Sequence, residues 1–150
     1  MDARIAAPTD PQALAEACAG AMWAEDEASR DLGMAIERVG PGEAVLTMRV
    51  SERMVNGHQL CHGGFIFMLA DSAFAFACNS YGRRTVAAGA EIRFRAPTHL
   101  GDVLTATATE RSREGRSGVY DVEVTASGPG GATVVATFVG HSREIGGSFV

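Results

Sequence analysis

Polar side chains and glycines crowd the stretch Asn56-Gly57-His58-Gln59-Leu60-Cys61-His62-Gly63-Gly64. Directly behind it runs Phe65 to Cys78, apolar except for Asp71 and Ser72. A helix over that run starts at the glycines. Its first N–H groups lack intrahelical partners and sit at the positive end of the macrodipole, so they can stabilise an oxygen that gains negative charge. In acyl transfer that oxygen is the thioester carbonyl, and one such donor supplies about 3 to 4 kcal/mol in the transition state. Gly63 is the candidate donor. Gly64 beside it is a candidate substrate-binding position, because glycine lets another group approach the backbone closely. The competing reading is an ordinary glycine-rich helix start.

Asp71 is the second candidate. Burying an unpaired carboxylate among phenylalanine, leucine and alanine costs several kcal/mol. A catalytic carboxylate lining a cleft, its pKa tuned for base or nucleophile work, would justify that cost. A structural aspartate that accepts hydrogen bonds from a neighbouring strand or loop would do so too. Ser72 follows it as a candidate substrate contact. His62 touches Gly63 in sequence and could polarise the carbonyl, while the Asn56 amide could fix a water or Asp71. A local histidine donor and a turn-forming asparagine are the plainer alternatives. His58, Cys61 and His62 form a spacing that invites zinc, yet no second ligand pair accompanies it, so no metal is expected. Cys61 at a helix start is a weaker candidate nucleophile.

Spacing adds a constraint. Asp71 lies eight residues beyond Gly63, about 12 Å along a helix axis, too far for both to act on one thioester from the same chain. Two copies of the helix packed antiparallel across a two-fold axis would bring Gly63 of one towards Asp71 of the other, giving sites shared between subunits.

The elements that must position these residues follow from the periodicities. From Asp10 to Arg30, Leu14, Ala17, Cys18, Ala21 and Met22 recur at helical spacing, and Glu25, Asp26 and Glu27 mark a solvated face. Gly33 and Gly40-Pro41-Gly42 bracket Met34 to Val39, and Glu43 to Val50 follows with alternating apolar residues, as two strands joined by a tight turn do. Beyond the apolar run come four strand-like segments, Val86–Ala96, Asp102–Arg113, Ser117–Ser127 and Ala132–Ser142, separated by short turns. They are expected to form an antiparallel four-strand meander. The tail from Ile145 to Val150 is expected to fray. The order makes the chain α+β. A helix apolar on nearly every side needs cover beyond one sheet face, from a sheet that curls, a second copy, or both.

With 150 residues and 46% hydrophobic content, one domain with one core is expected. A net charge of -5 argues against nucleic acid as a partner. All 13 basic residues are arginine, which removes lysine Schiff-base chemistry and leaves planar donors suited to phosphate. Arg83, Arg84, Arg93, Arg95, Arg111, Arg113 and Arg116 are the candidates. The odd set Cys18, Cys61 and Cys78 reads as reduced thiols of a cytoplasmic protein. Met1 to Asp10 lacks the layout of a signal peptide, and the apolar run is too short to span a bilayer, so no membrane association is expected.

Taken together, the Asn56–Gly64 segment, Leu69-Ala70-Asp71, Ala77-Cys78-Asn79-Ser80, Gly118-Val119-Tyr120-Asp121-Val122 and Ile145-Gly146-Gly147 resemble the bacterial hotdog thioesterases of phenylacetate degradation, over about residues 24–147. The resemblance implies a hotdog fold, a long central helix wrapped by a curved antiparallel sheet of five to six strands, assembled as dimers and commonly as a tetramer. It implies that Asp71 is the catalytic carboxylate and Gly63 the backbone donor on the facing subunit. His62 and Asn56 would line the site. The implied substrates are phenylacetyl-CoA and its ring-hydroxylated derivatives, with no cofactor, since coenzyme A is part of the substrate. A related branch acting on hydroxybenzoyl-CoA carries glutamate and a helix threonine where this chain has Asp71 and Ala75. An acyl-CoA hydratase or dehydratase, or a binding module without turnover, are the other functions such a chain could serve.

Overall fold

The computed structural model describes residues 6–150. Met1 to Ile5, half of the segment weighed above as a signal peptide, lie outside the described residues. Asp10 caps the first helix, α1 (Pro11–Glu25), accepting a 2.8 Å hydrogen bond from the Ala13 N–H. Proline at the first helical position suits a site whose N–H would go unpaired. Asp26 then caps the short α2 (Glu27–Asp31) through the Ser29 N–H at 3.0 Å, so one residue of the acidic run serves as a helix cap.

Strands β1 (Ala35–Gly40) and β2 (Glu43–Arg49) form the expected hairpin, and the central helix α3 (Gly63–Cys78) follows after a single 3-10 turn. The remaining strands are β3 (Thr85–Phe94), β4 (Val103–Glu114), β5 (Ser117–Gly128) and β6 (Gly131–Glu144). All six make one antiparallel sheet in the order β1-β2-β4-β5-β6-β3. The expected meander is therefore corrected at one strand, because β3 does not neighbour β4 but crosses to the far rim beside β6. Alternation explains the exchange. β2 buries Ala44, Leu46 and Met48 and β4 buries Leu104, Ala106 and Ala108, so their apolar faces match in register. Along β3 nearly every residue is exposed or half-exposed, which suits a rim.

Register lines the concave face in rows. Leu46, Ala106, Val124, Ala136 and Phe94 stand side by side across β2, β4, β5, β6 and β3. The sheet wraps α3, which touches all six strands. Ile66, Leu69, Ala70, Ala73, Phe74, Phe76 and Ala77 of the helix are buried, each large side chain contributing about 1.5 to 3 kcal/mol by leaving water. Phe74 anchors the contact, its ring 5.6 Å from Tyr120 and 5.9 Å from Phe138 between centroids. Gly140 on β6 makes room for it, since a Cβ there would fall 2.7 Å from the Phe74 ring. The tail 145–150 forms no regular element but is tied down rather than frayed where it meets Arg84. The Ile145 N–H donates to the Arg84 carbonyl at 2.9 Å, and the Arg84 N–H donates to the Gly147 carbonyl at 2.9 Å.

Candidate active site

Within one chain, α3 is open along a single stripe. Gly64, Met68, Asp71 and Ala75 are exposed or half-buried, and their spacing of three and four residues places them in one line, flanked by half-buried Phe67; beyond the first turn the rest of the helix is buried. The Asp71 carboxylate on this stripe has no hydrogen-bond partner and no cation within ion-pair distance among the described residues. Partial burial raises its pKa above the ordinary carboxylate range. It is thus a base stronger than a solvated aspartate, with its oxygens uncommitted. Cys78, two turns on, is no rival nucleophile, because burial, with a smaller contribution from Asp71, pushes its thiol up to about 12. Cys61 is also raised by burial.

The N-terminal end of α3 is open in a different way. His62 is the N-cap but makes no side-chain capping bond, and its side chain is exposed. Neither the Gly63 nor the Gly64 N–H has a hydrogen-bond partner among the described residues. The Phe94 ring lies so close over Gly63 that a Cβ there would meet it at 2.7 Å. A cavity of about 450 Å³ opens here, lined by Asn56, Cys61, Gly63, Phe94 and Thr98 among others.

Asn56 occupies this cavity as the organiser of the preceding loop. Its Oδ1 accepts from the His58 N–H at 2.9 Å and the Leu60 N–H at 3.2 Å, holding Gln59 at a φ of 63°. Its carbonyl is thereby engaged, while the amide N–H groups have no hydrogen-bond partner among the described residues.

The structure thus brings Asn56, Gly63 and His62 together at one helix end and leaves Gly64 on the open stripe. Asp71, eight residues away, does not line that cavity. Ser72 departs from its expected place as a substrate contact. It is 7% exposed, and its Oγ lies 2.8 Å from Ser29 Oγ, whose hydroxyl donates in turn to Asp26 at 2.7 Å. One residue beyond Asp71 on a helix points about 100° away, which turns Ser72 inward under α2. Among the described residues no three His, Cys, Asp or Glu side chains gather closely enough to hold a metal ion. Phe94 and Met68 were not singled out by sequence reasoning. Phe94 sits in an alternating strand and Met68 in a uniformly apolar run, so neither carries a local signal.

Residues 58–133 match the model of the thioesterase superfamily. That span covers the glycine-rich helix start, α3, β3, β4, β5 and the first residues of β6. The chain belongs to this thioesterase superfamily. It is 46% identical over 130 residues to the acyl-coenzyme A thioesterase PaaI of Escherichia coli, covering 87% of this chain and 91% of that protein. The solved structure of E. coli PaaI, from the phenylacetic acid degradation operon, superposes with a TM-score of 0.86 at 45% identity, over 90% of this chain and 96% of that one. A mutant of the phenylacetic acid degradation protein PaaI from Thermus thermophilus superposes with a TM-score of 0.73 at 34% identity, over 78% and 97% of the two chains. The fold of this thioesterase is the hotdog fold, and its activity is thioester hydrolysis of the PaaI type.

Proposed function

We propose that this thioesterase, acting as one catalytic domain, hydrolyses aryl-acetyl-CoA esters, phenylacetyl-CoA and its ring-hydroxylated derivatives, to the free acid and coenzyme A. The phenylacetic acid degradation operon of its E. coli relative and the name of its T. thermophilus relative favour that substrate class. The observation that carries the chemistry is Asp71, a carboxylate with no partner and a raised pKa on the one open stripe of a buried helix. Gly63 N–H polarises the thioester carbonyl, with His62 and Asn56 lining the same end. Asp71 then acts by one of two routes. As a general base it takes a proton from water, which adds to the carbonyl carbon, and the C–S bond breaks as the sulfur receives the proton. As a nucleophile it forms a mixed anhydride with release of the thiolate, and water cleaves the anhydride. No metal or cofactor takes part in either route. The three unpaired cysteines suit a reducing cytoplasm, and among the described residues no helix is long and apolar enough to cross a membrane.

The site is completed by a second copy. Asp71 and Gly63 stand about 12 Å apart along one helix, whereas β3 presents an unpaired rim with Val86 44% and Phe94 54% exposed. A two-fold partner joined along this rim would cover the apolar side chains and set its own Gly63 opposite Asp71. A tetramer would then be a pair of such dimers.

Mixing two inactive variants tests both parts of the proposal. A dimer of one Asp71→Asn chain and one Gly63→Pro chain contains one site with both wild-type groups. Phenylacetyl-CoA hydrolysis, followed by free thiol, is expected to return in the mixture. If each variant is inactive and the mixture stays inactive although mixed dimers form, the shared site is wrong. Single turnover in oxygen-18 water separates the two routes, since label entering Asp71 marks the anhydride.

A further inference from the structure

Between Gly63 and Ala77, α3 carries polar side chains at only two positions, Asp71 and Ser72. The rest of the helix body is apolar or glycine. Apolar contact is non-directional, so it fixes how deep the helix lies better than how far it is rotated about its own axis. The direction in which Asp71 points depends on that rotation.

One directional contact resists it. The Ser72 and Ser29 hydroxyl oxygens lie 2.8 Å apart. Because Ser29 gives its own proton to Asp26 Oδ2 at 2.7 Å, Ser72 is the donor of the pair. Asp26 is held in turn: its Oδ1 accepts from the Ser29 N–H at 3.0 Å, and its own N–H donates to the Trp23 carbonyl at 3.2 Å. Ser29 is 1% and Ser72 7% exposed, so water does not compete for the bond. Among the described residues this is the sole side-chain hydrogen bond from the body of α3 to a different element. Trp23 also packs on the helix, its ring 6.2 Å from that of Phe76 between centroids, a contact that tolerates sliding.

Replacing both members of a buried hydrogen-bonded pair by apolar groups is nearly neutral for stability. What the two hydroxyls add is direction. Ser72 follows Asp71 at a rise of about 1.5 Å along the axis, so a roll of the helix at one is transmitted whole to the other. At the outer radius of a helix, about 5–6 Å, a roll of about 10° moves a side-chain tip by about 1 Å. A misplacement of about 1 Å can slow catalysis about a hundredfold. Asp71 makes no hydrogen bond of its own among the described residues that would correct its aim.

We infer that the Asp26–Ser29–Ser72 chain sets the roll of α3 and thereby aims the Asp71 carboxylate. The three are positioning residues that act through Asp71 without touching substrate. The inference rests on the reading of Asp71 as base or nucleophile, and the test separates the two.

Ser72→Ala, Ser29→Ala and the double variant are compared with the wild type by thermal melting and by turnover. The substrate is whichever of phenylacetyl-, benzoyl- and straight-chain acyl-CoA the wild type cleaves fastest. Asp71→Asn and Asp71→Asn/Ser72→Ala complete a cycle, and Asn79→Ala, which breaks the C-terminal cap of α3, is a destabilised control outside the chain. Ser72→Ala is expected to lower Tm by roughly 2–4 °C. Its kcat should fall about tenfold or more, with KM changed by less than about twofold. The double variant should lose no more than the worse single one, because a single device is broken. With Asp71 already replaced, Ser72→Ala should have no further effect. Unchanged kcat in Ser72→Ala overturns the inference; should that variant not fold, Ser29→Ala reads the same bond from its acceptor side. An equal kcat loss in Asn79→Ala would trace the effect to stability, and an undiminished loss beside Asp71→Asn would route it past the carboxylate; either overturns the inference. Near-normal turnover by Asp71→Asn alone would instead remove the carboxylate reading, and the aiming role with it.

Discussion

At its C-terminal end α3 is closed by two side chains whose polar atoms are nearly all engaged. Asn79 Nδ2 donates to the carbonyls of Ala75 and Thr85 at 2.9 Å each, and its Oδ1 accepts from the Thr85 N–H at 2.8 Å. Ser80 donates to the Ala77 carbonyl at 2.7 Å and accepts from the Gly42 N–H at 2.8 Å. At the N-terminal end His62 caps nothing with its side chain, and the glycine N–H groups are unpartnered among the described residues. One end ties the helix to β3 and to the β1–β2 turn, and the other leaves donors free. On the proposed reading, stability and reactivity fall to opposite ends of one helix, with Asp71 between them.

That division predicts separable effects. Asp71→Asn is expected to lower kcat by about 10²–10⁴-fold while circular dichroism and size-exclusion profiles stay unchanged; near-normal turnover would remove Asp71 from the chemistry. At the N-terminal end, Gly63→Pro deletes the donor at a position where proline is tolerated in a helix, and Gly63→Ala adds the same Cβ while keeping the N–H. The proline variant should turn over about 10²–10³-fold more slowly than the alanine variant. Equal kinetics would mean that contact with Phe94, and not the lost donor, sets the rate.

At the closed end, Asn79→Ala strands buried backbone groups and should destabilise the protein by about 2–3 kcal/mol. The matching fall in Tm is roughly 5–10 °C, with kcat little changed; a kcat loss as large as that of Gly63→Pro would erase the contrast. The smallest effect concerns Asp71 itself. Its folded pKa lies above its unfolded one, so the ionised form disfavours folding at neutral pH. That penalty is relieved as pH falls through the raised value. Asp71→Asn should therefore melt slightly higher than wild type at pH 8, with the gap closing in acid. A constant gap across pH would show that burial of the charge is not its origin.

All six strands were legible as segments between turns, helped in β2, β4 and β5 by an inward apolar row that repeats every second residue. The position of β3 was not, since a strand exposed on nearly every residue carries no pattern that names its neighbour. Asp71 and Gly63 stood out as a lone charge in an apolar run and a glycine pair at its start. Ser72 and Asn56 were harder to place. The first is turned inward by Ser29, 43 residues away in sequence, and the second combines a turn with a cavity wall, which residue type alone cannot apportion. Among the arginines, partners elsewhere in the chain set the surroundings, as where Arg111 donates to Asp121 at 2.9 Å and Arg113 lies over the Tyr81 ring.

Gly140 has no chemistry of its own, yet it sets the height at which α3 rests on β6. Any larger residue would act as a shim beneath Phe74, tilting the rod that carries the aspartate. Because displacements near 1 Å can slow an enzyme about a hundredfold, a missing methyl group on the floor of the fold governs the aim of the carboxylate three residues before Phe74.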